Sequence, residues 1–220
     1  MSTKQVVAVI GASGNMGSAI AKAISKGNYR VLLQSENLSK VQCVVDEIKK
    51  NNPGSDVDVV AYPMDASWEA DIIILAIPYL AEKDVAQDIS KVVNQKIVVS
   101  VSNPVNDTCT ALLTSPCASA AEELQNRLPY SKVIKAFNTT STNSFNRPVI
   151  NGQQLDCFIA GDNEDALQSV YYLVKAAGFN PVIVGDLAAS RTLESMQLLL
   201  IQLSMETNYN GTAGWKVLHN

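Results

Sequence analysis

Apolar and polar positions divide the chain into two alternating kinds of block. Short, nearly unbroken runs of aliphatic and β-branched residues occupy 6–10, 29–34, 57–61, 71–78, 96–101, 132–137, 155–161 and 181–184. Between them lie longer stretches in which apolar positions recur every three to four residues, at 18–26, 38–50, 79–93, 116–128, 164–177 and 193–207. Runs this short and this apolar are strands covered on both faces, and the 3.6-residue period marks amphipathic helices. Val41, Val44, Val45 and Ile48 would share one helix face. Leu193, Met196, Leu199, Leu200 and Leu203 form a stripe that reads as core or as a homodimer face. Strand alternating with helix predicts an α/β fold, a doubly wound and mainly parallel sheet. No linker, repeat or low-complexity segment interrupts it. The expectation is a single domain over 1–220, with a short C-terminal helical closure over 189–208.

The first strand breaks at Gly11-Ala12-Ser13-Gly14-Asn15-Met16-Gly17, and a helix follows. Strand, glycine turn and helix together aim free helical N–H groups at an anion, usually a dinucleotide pyrophosphate. Gly11 lets the chain turn, Gly14 lets backbone approach phosphate, and Gly17 lets the helix lie close to the strand. In this Rossmann-like arrangement the end of the second strand, Ser35-Glu36, would meet the adenosine ribose. Ala76-Ile77-Pro78, after the fourth strand, would meet the nicotinamide. Ser35 reads as a hydroxyl for the ribose or its phosphate, or as a plain strand-end residue. A carboxylate at Glu36 can accept both ribose hydroxyls, which favours NAD over NADP. Lys40, one helical turn on, can reach a 2′-phosphate or simply face solvent.

Two further strand ends, Ser102-Asn103-Pro104 and Asn138-Thr139-Thr140, supply amides and hydroxyls for a carboxamide or a flat ring, or are ordinary loops. Neither brings a strong base. The pair Tyr171/Lys175 has short-chain-dehydrogenase spacing but sits in too late a helix to be catalytic. Arg191 and Glu194, at i and i+3, are expected to pair with each other. The four cysteines, Cys43, Cys109, Cys117 and Cys157, are scattered and read as reduced, mostly buried thiols. With one histidine, His219 near the terminus, no metal site is legible. No catalytic triad or buried acid pair is legible either, so no catalytic residue is assigned. Hydride transfer between stacked rings needs little acid–base help, because the cofactor carries the chemistry.

Composition narrows the class. Of 220 residues, 47% are hydrophobic and 17% charged, enough apolar residues for a large core. The net charge of −4 with no basic cluster argues against nucleic acid. No run is long enough to cross a bilayer, and the short apolar start does not read as a leader peptide, so a cytoplasmic protein with no membrane partner is expected.

Several segments recur in order in one known family. They are Gly11–Gly17, Asp71–Pro78, Ile97–Ser100, Ser119–Leu124, Val133–Thr139, Ala160–Asp162 and Ser190–Glu194. The chain resembles the deazaflavin (coenzyme F420)-dependent NADP oxidoreductases over essentially its whole length. Wider relatives of that family include bacterial NADP-binding reductases and the cytosolic domain of the six-transmembrane metalloreductases. The resemblance implies hydride transfer between NADP(H) and a deazaflavin or flavin as co-substrate. It implies that Ser13, Gly14, Asn15 and Met16 cradle the pyrophosphate and that Ser35 and Lys40 hold the 2′-phosphate. Ile77 and Pro78 would border the nicotinamide, and Asn138 and Thr139 the acceptor ring. The family has arginine after the serine where this chain has Glu36, which bears on the choice between NADP and NAD. Two other classes fit the motifs: an imine reductase of the pyrroline-carboxylate kind, and a non-catalytic dinucleotide sensor.

Overall fold

The protein is described by a computed structural model covering residues 4–207, 209 and 212–218. Eight strands form one sheet: β1 (Gln5–Ile10), β2 (Tyr29–Gln34), β3 (Asp56–Val59), β4 (Ile72–Leu75), β5 (Ile97–Ser100), β6 (Lys132–Lys135), β9 (Asp156–Gly161) and β10 (Asn180–Gly185). A separate hairpin, β7 (Val149–Ile150) with β8 (Gln153–Gln154), lies in the long connection before β9. The sheet order is β10-β9-β6-β5-β4-β1-β2-β3. From β3 to β6 every neighbour is parallel. β9 runs antiparallel to β6, and β10 then runs parallel to β9. The reversal follows from the link: no crossover helix separates β6 from β9, so the chain returns pointing the other way.

Helices α1 (Asn15–Ile24), α2 (Leu38–Asn51) and α6 (Glu164–Ala176) cover one face. α3 (Pro63–Glu69), α4 (Tyr79–Ile89) and α5 (Ala120–Arg127) cover the other. Helix α7 (Ser190–Glu206) packs Leu193 onto Phe158 and Ala160 of β9. The central strands are sealed on both faces, and all four residues of β4 are buried. That is why their sequence reads as a continuous apolar run rather than an alternation.

The expected elements are present, with informative differences at their ends. Helix α3 is an element the periodicity does not predict, since seven residues complete fewer than two turns. The helix expected over 116–128 starts only at Ala120, because Ser119 and Glu122 form a capping box. β6 stops at Lys135 rather than at 137, where Phe137 takes φ +61°. β4 ends at Leu75, and Pro78 becomes the N-cap of α4. Asn163 caps α6 with its side chain, and Asp162 accepts the Leu187 N–H.

Three side-chain expectations are overturned. Arg191 does not pair with Glu194: its Nε donates to Glu122 at 2.8 Å, while Glu194 turns inward to Lys135. The i, i+3 spacing would have allowed the local pair, but the interior offers Glu194 a buried cation. Buried acids do exist, at Glu82, Asp156 and Glu194. Of the four thiols, all free, only Cys157 is buried; Cys43 and Cys117 are exposed and Cys109 lies between. The Leu/Met stripe of α7 divides, with Leu193 and Leu200 buried and Leu199 and Leu203 exposed. Among the described residues no helix is long and apolar enough to cross a membrane, and no cluster could hold a metal ion. His219 lies outside the described residues.

Candidate functional site: a cavity at the strand ends

The carboxyl ends of β1, β2 and β4 meet at one cavity of about 470 Å³. Its floor is the glycine turn. Gly11 takes φ +87°, and a Cβ there would lie 2.4 Å from the Ala76 carbonyl oxygen. Only glycine lets the end of β1 press against the end of β4 this closely. Gly17 plays the matching part for the helix, since a Cβ on it would lie 2.3 Å from the Gly11 carbonyl. The turn is bolted to β2: the Gln34 carbonyl accepts both the Gly11 and Ala12 N–H groups at 2.9 Å. One residue on, the Ser13 and Ser35 hydroxyls share a hydrogen bond of 2.6 Å.

α1 then begins with Gly14 as N-cap. No side chain caps it, and no acidic residue sits in its first turn. The N–H groups of Asn15, Met16 and Gly17 therefore open α1 without the usual side-chain acceptor. An uncapped helix start beside a cavity favours an anion, by hydrogen bonding and by the helix dipole. The donor set fits a dinucleotide pyrophosphate.

Eight of the residues anticipated from the sequence line this cavity: Gly11, Ser13, Gly14, Ser35, Glu36, Ala76, Ile77 and Pro78. Others are placed differently. Asn15 is exposed at the turn, and the Met16 side chain packs on the core, so only their backbone can face an anion. Lys40 is exposed in the first turn of α2, outside the cavity lining, and its N–H is held by Asn37 Oδ1 at 3.0 Å.

Asn103, Asn138 and Thr139 also lie outside that lining, past the ends of β5 and β6. The two asparagines are latched. Asn103 Nδ2 donates to the Asn138 carbonyl, and Asn138 Nδ2 to Asn103 Oδ1, both at 3.0 Å. Asn138 and Thr139 are buried, yet Asn138 Oδ1 and Thr139 Oγ1 find no hydrogen-bond partner. Unmatched buried acceptors are uncommon in folded proteins. Here they cluster where β6 turns away through the left-handed Phe137.

The pattern-based reading misses the fourth wall. α4 presents Ala81, Asp84, Val85 and Asp88 to the cavity, and Pro63 of α3 closes it. Spacing of i, i+3, i+4 and i+7 after Pro78 is the signal that could have found them. With Glu36, three carboxylates and no Lys or Arg line the cavity. Neutral donors, the α1 N–H groups and the Ser13 and Ser35 hydroxyls, are what it offers a phosphate.

Comparison with known proteins agrees with this architecture. The family model for coenzyme F420-dependent NADP oxidoreductases matches residues 6–104, the stretch that builds the cavity. An F420-dependent NADP reductase from Methanocaldococcus jannaschii is 28% identical over 214 residues, covering 94% of this chain and 95% of that protein. Metalloreductase STEAP3 of Rattus norvegicus is 33% identical over 106 residues, covering 48% of this chain and 21% of that protein. A crystal structure from Arthrobacter sp. FB24, assigned as an F420-dependent NADP-reductase, superposes with TM-score 0.84 at 19% identity. It covers 99% of this chain and 100% of that one, which shows the shared fold. In its glycine turn, in the strand ends around it and in an alignment running almost end to end, the chain is similar to the coenzyme F420-dependent NADP oxidoreductases.

Proposed function

We propose that the protein is an NADP(H)-dependent oxidoreductase built as one Rossmann-like domain closed by α7. It moves hydride between the nicotinamide and a deazaflavin or a similar flat acceptor. The observation that carries this reading is the uncapped start of α1 opening where the ends of β1, β2 and β4 meet. When bound, the nicotinamide supplies the hydride chemistry itself. The chain's own residues bind, orient and exclude water. The N–H groups at the start of α1 hold the pyrophosphate. Ser13 and Ser35, already hydrogen-bonded to each other, offer hydroxyls to the ribose end. Ala76, Ile77 and Pro78 form an apolar, rigid wall for the nicotinamide face. Asn103, Asn138 and Thr139 form the acceptor side, where two buried oxygens still lack donors.

No acid or base is required at the reacting atoms, because the nicotinamide itself carries the hydride. A cytoplasmic location fits these small-molecule partners, and the exposed Leu199, Leu203 and Met205 of α7 support a homodimer.

The test is fluorescence titration of the protein with NADPH and NADH, followed by an acceptor screen of deazaflavin, FMN, FAD and ferric chelates. NADPH binding with deazaflavin reduction is the expected outcome. Tight dinucleotide binding with no acceptor reduced would make the protein a sensor instead.

A further inference from the structure

Beneath the strand ends lies a cluster of buried charges that the hydride chemistry does not require. Lys135, the last residue of β6, is wholly buried. Its ammonium donates to Glu194 Oε1 at 2.6 Å, to the Ser102 carbonyl at 2.6 Å and to Ser100 Oγ at 3.4 Å. Glu194 reaches in from α7, and its second oxygen accepts the Ala120 N–H at 3.1 Å. Glu82 of α4 joins from the other side, accepting from Ser100 Oγ at 3.4 Å.

Taking such groups out of water is costly, and apolar residues of similar volume can bind helices to a sheet equally well. The charges therefore call for a reason other than packing. The Ser102 carbonyl supplies one. β5 ends at Ser100, whose carbonyl takes the Ala136 N–H, the last such bond between the two strands. Two residues further on, Ser102 has Lys135 as its donor. The next residue, Asn103, is the one latched in both directions to Asn138. One chain of contacts thus runs from α7 through Glu194, Lys135 and the Ser102 carbonyl to the paired carboxamides.

We propose that Lys135 is a positioning residue. Its ammonium, aimed by Glu194, holds the end of β5 so that the carboxamides of Asn103 and Asn138 stand as one fixed wall of the ring site. What that wall does rests on the oxidoreductase reading; its geometry does not. A lysine suits the task because its four-carbon stem spans from β6 to the carbonyl beyond β5, while its three donors serve Glu194, Ser100 and Ser102 together.

Two variants test it. Lys135→Met removes the donor and leaves Glu194 unpaired. Lys135→Met/Glu194→Leu removes both charges, so the protein can stay folded without a stranded carboxylate. Side-chain amide exchange of Asn103 and Asn138, read by NMR, should accelerate roughly tenfold or more while the β1 and β4 amides keep their protection. In the acceptor assay kcat should fall roughly 10- to 100-fold. KM for the dinucleotide should stay within about twofold, since phosphate and ribose are held at other strand ends. Unchanged carboxamide exchange in a folded double variant overturns the proposal, as does an unchanged kcat. Accelerated exchange alongside a wild-type protein that reduces no acceptor leaves the positioning role standing and removes the oxidoreductase reading alone.

Discussion

Lys135 of β6 and Glu194 of α7 are 59 residues apart in sequence, 2.6 Å apart at their charged atoms, and wholly buried. A buried pair of this kind is asymmetric in its energetics. Removing one partner strands the other, at about 3–5 kcal/mol; removing both in favour of apolar groups is often neutral. Glu194→Leu alone should therefore lower the urea midpoint strongly at pH 5, where Glu82 holds its proton and Lys135 keeps a charge with only neutral acceptors. Lys135→Met/Glu194→Leu should recover most of that loss. A double variant as unstable as the sum of its singles would show that the two residues do not act as a pair.

Neither partner is legible from the sequence. Lys135 sits inside the run 132–137, where a lysine reads as one solvent-facing position of a strand. Glu194 sits one turn from Arg191, where a local pair is the simplest reading. The structure gives Arg191 to Glu122, whose carboxyl it pulls below the usual range through the guanidinium hydrogen bond. What was legible depended on short-range constraint. The glycine turn, the strand ends and Ser35 follow from spacing alone, since Gly11 and Gly17 must sit where backbone meets backbone. Asp84 and Asp88 were missed because a helix face toward a cavity looks like a helix face toward water. The antiparallel β9 was missed because sequence patterning records burial and carries no strand direction.

Gly11 is a position at which the fold leaves no room for a side chain. A Cβ would meet the Ala76 oxygen at 2.4 Å and Ile77 Cγ2 at 2.8 Å, in a backbone conformation at φ +87° that other residues rarely adopt. Gly11→Ala should cost on the order of 2–3 kcal/mol in chemical denaturation. Because relief of the clash pushes β1 away from β4, dinucleotide affinity should fall as well, by roughly tenfold or more. A stable Gly11→Ala protein with unchanged NADPH titration would mean that the two strand ends are not held in contact.

Glu36 stands at the end of β2, on the cavity lining and next to Ser35. With Asp84 and Asp88 it makes the cavity lining acidic, and Lys40 is outside that lining. A 2′-phosphate bound there would meet a carboxylate. Glu36→Arg should tighten NADPH, since one charge-assisted hydrogen bond to phosphate contributes about 1.5–3 kcal/mol. That corresponds to a gain of roughly tenfold or more in Kd. NADH should bind no tighter. Equal effects on both dinucleotides, or none on either, would place Glu36 away from the ribose.

Glu82 carries the pH dependence. Burial raises its carboxyl to about 7, the attraction of Lys135 and the Ser102 and Ser100 hydroxyls oppose the rise, and Glu194 adds to it. From the outer side Tyr79 and Lys83 of α4, with Glu123 and Arg127 of α5, line a recess of about 150 Å³ against it. Tyr79 donates to Glu123 at 2.7 Å, so that phenol is engaged elsewhere. In the unfolded chain the carboxyl returns to its ordinary value of 4.5. Between 4.5 and about 7 the folded protein holds the proton more tightly. The stability contributed by this group is therefore fully present below 4.5 and is lost as pH rises through about 7. The loss is on the order of 3 kcal/mol, complete by pH 8 or so. Glu82→Gln keeps the hydrogen-bonding shape and cannot ionise. Its urea midpoint should lie near that of the wild type at pH 5 and clearly above it at pH 8. Wild-type and variant curves that run parallel from pH 5 to pH 8 would show that Glu82 is already ionised in the folded protein, with Lys135 shared between two carboxylates.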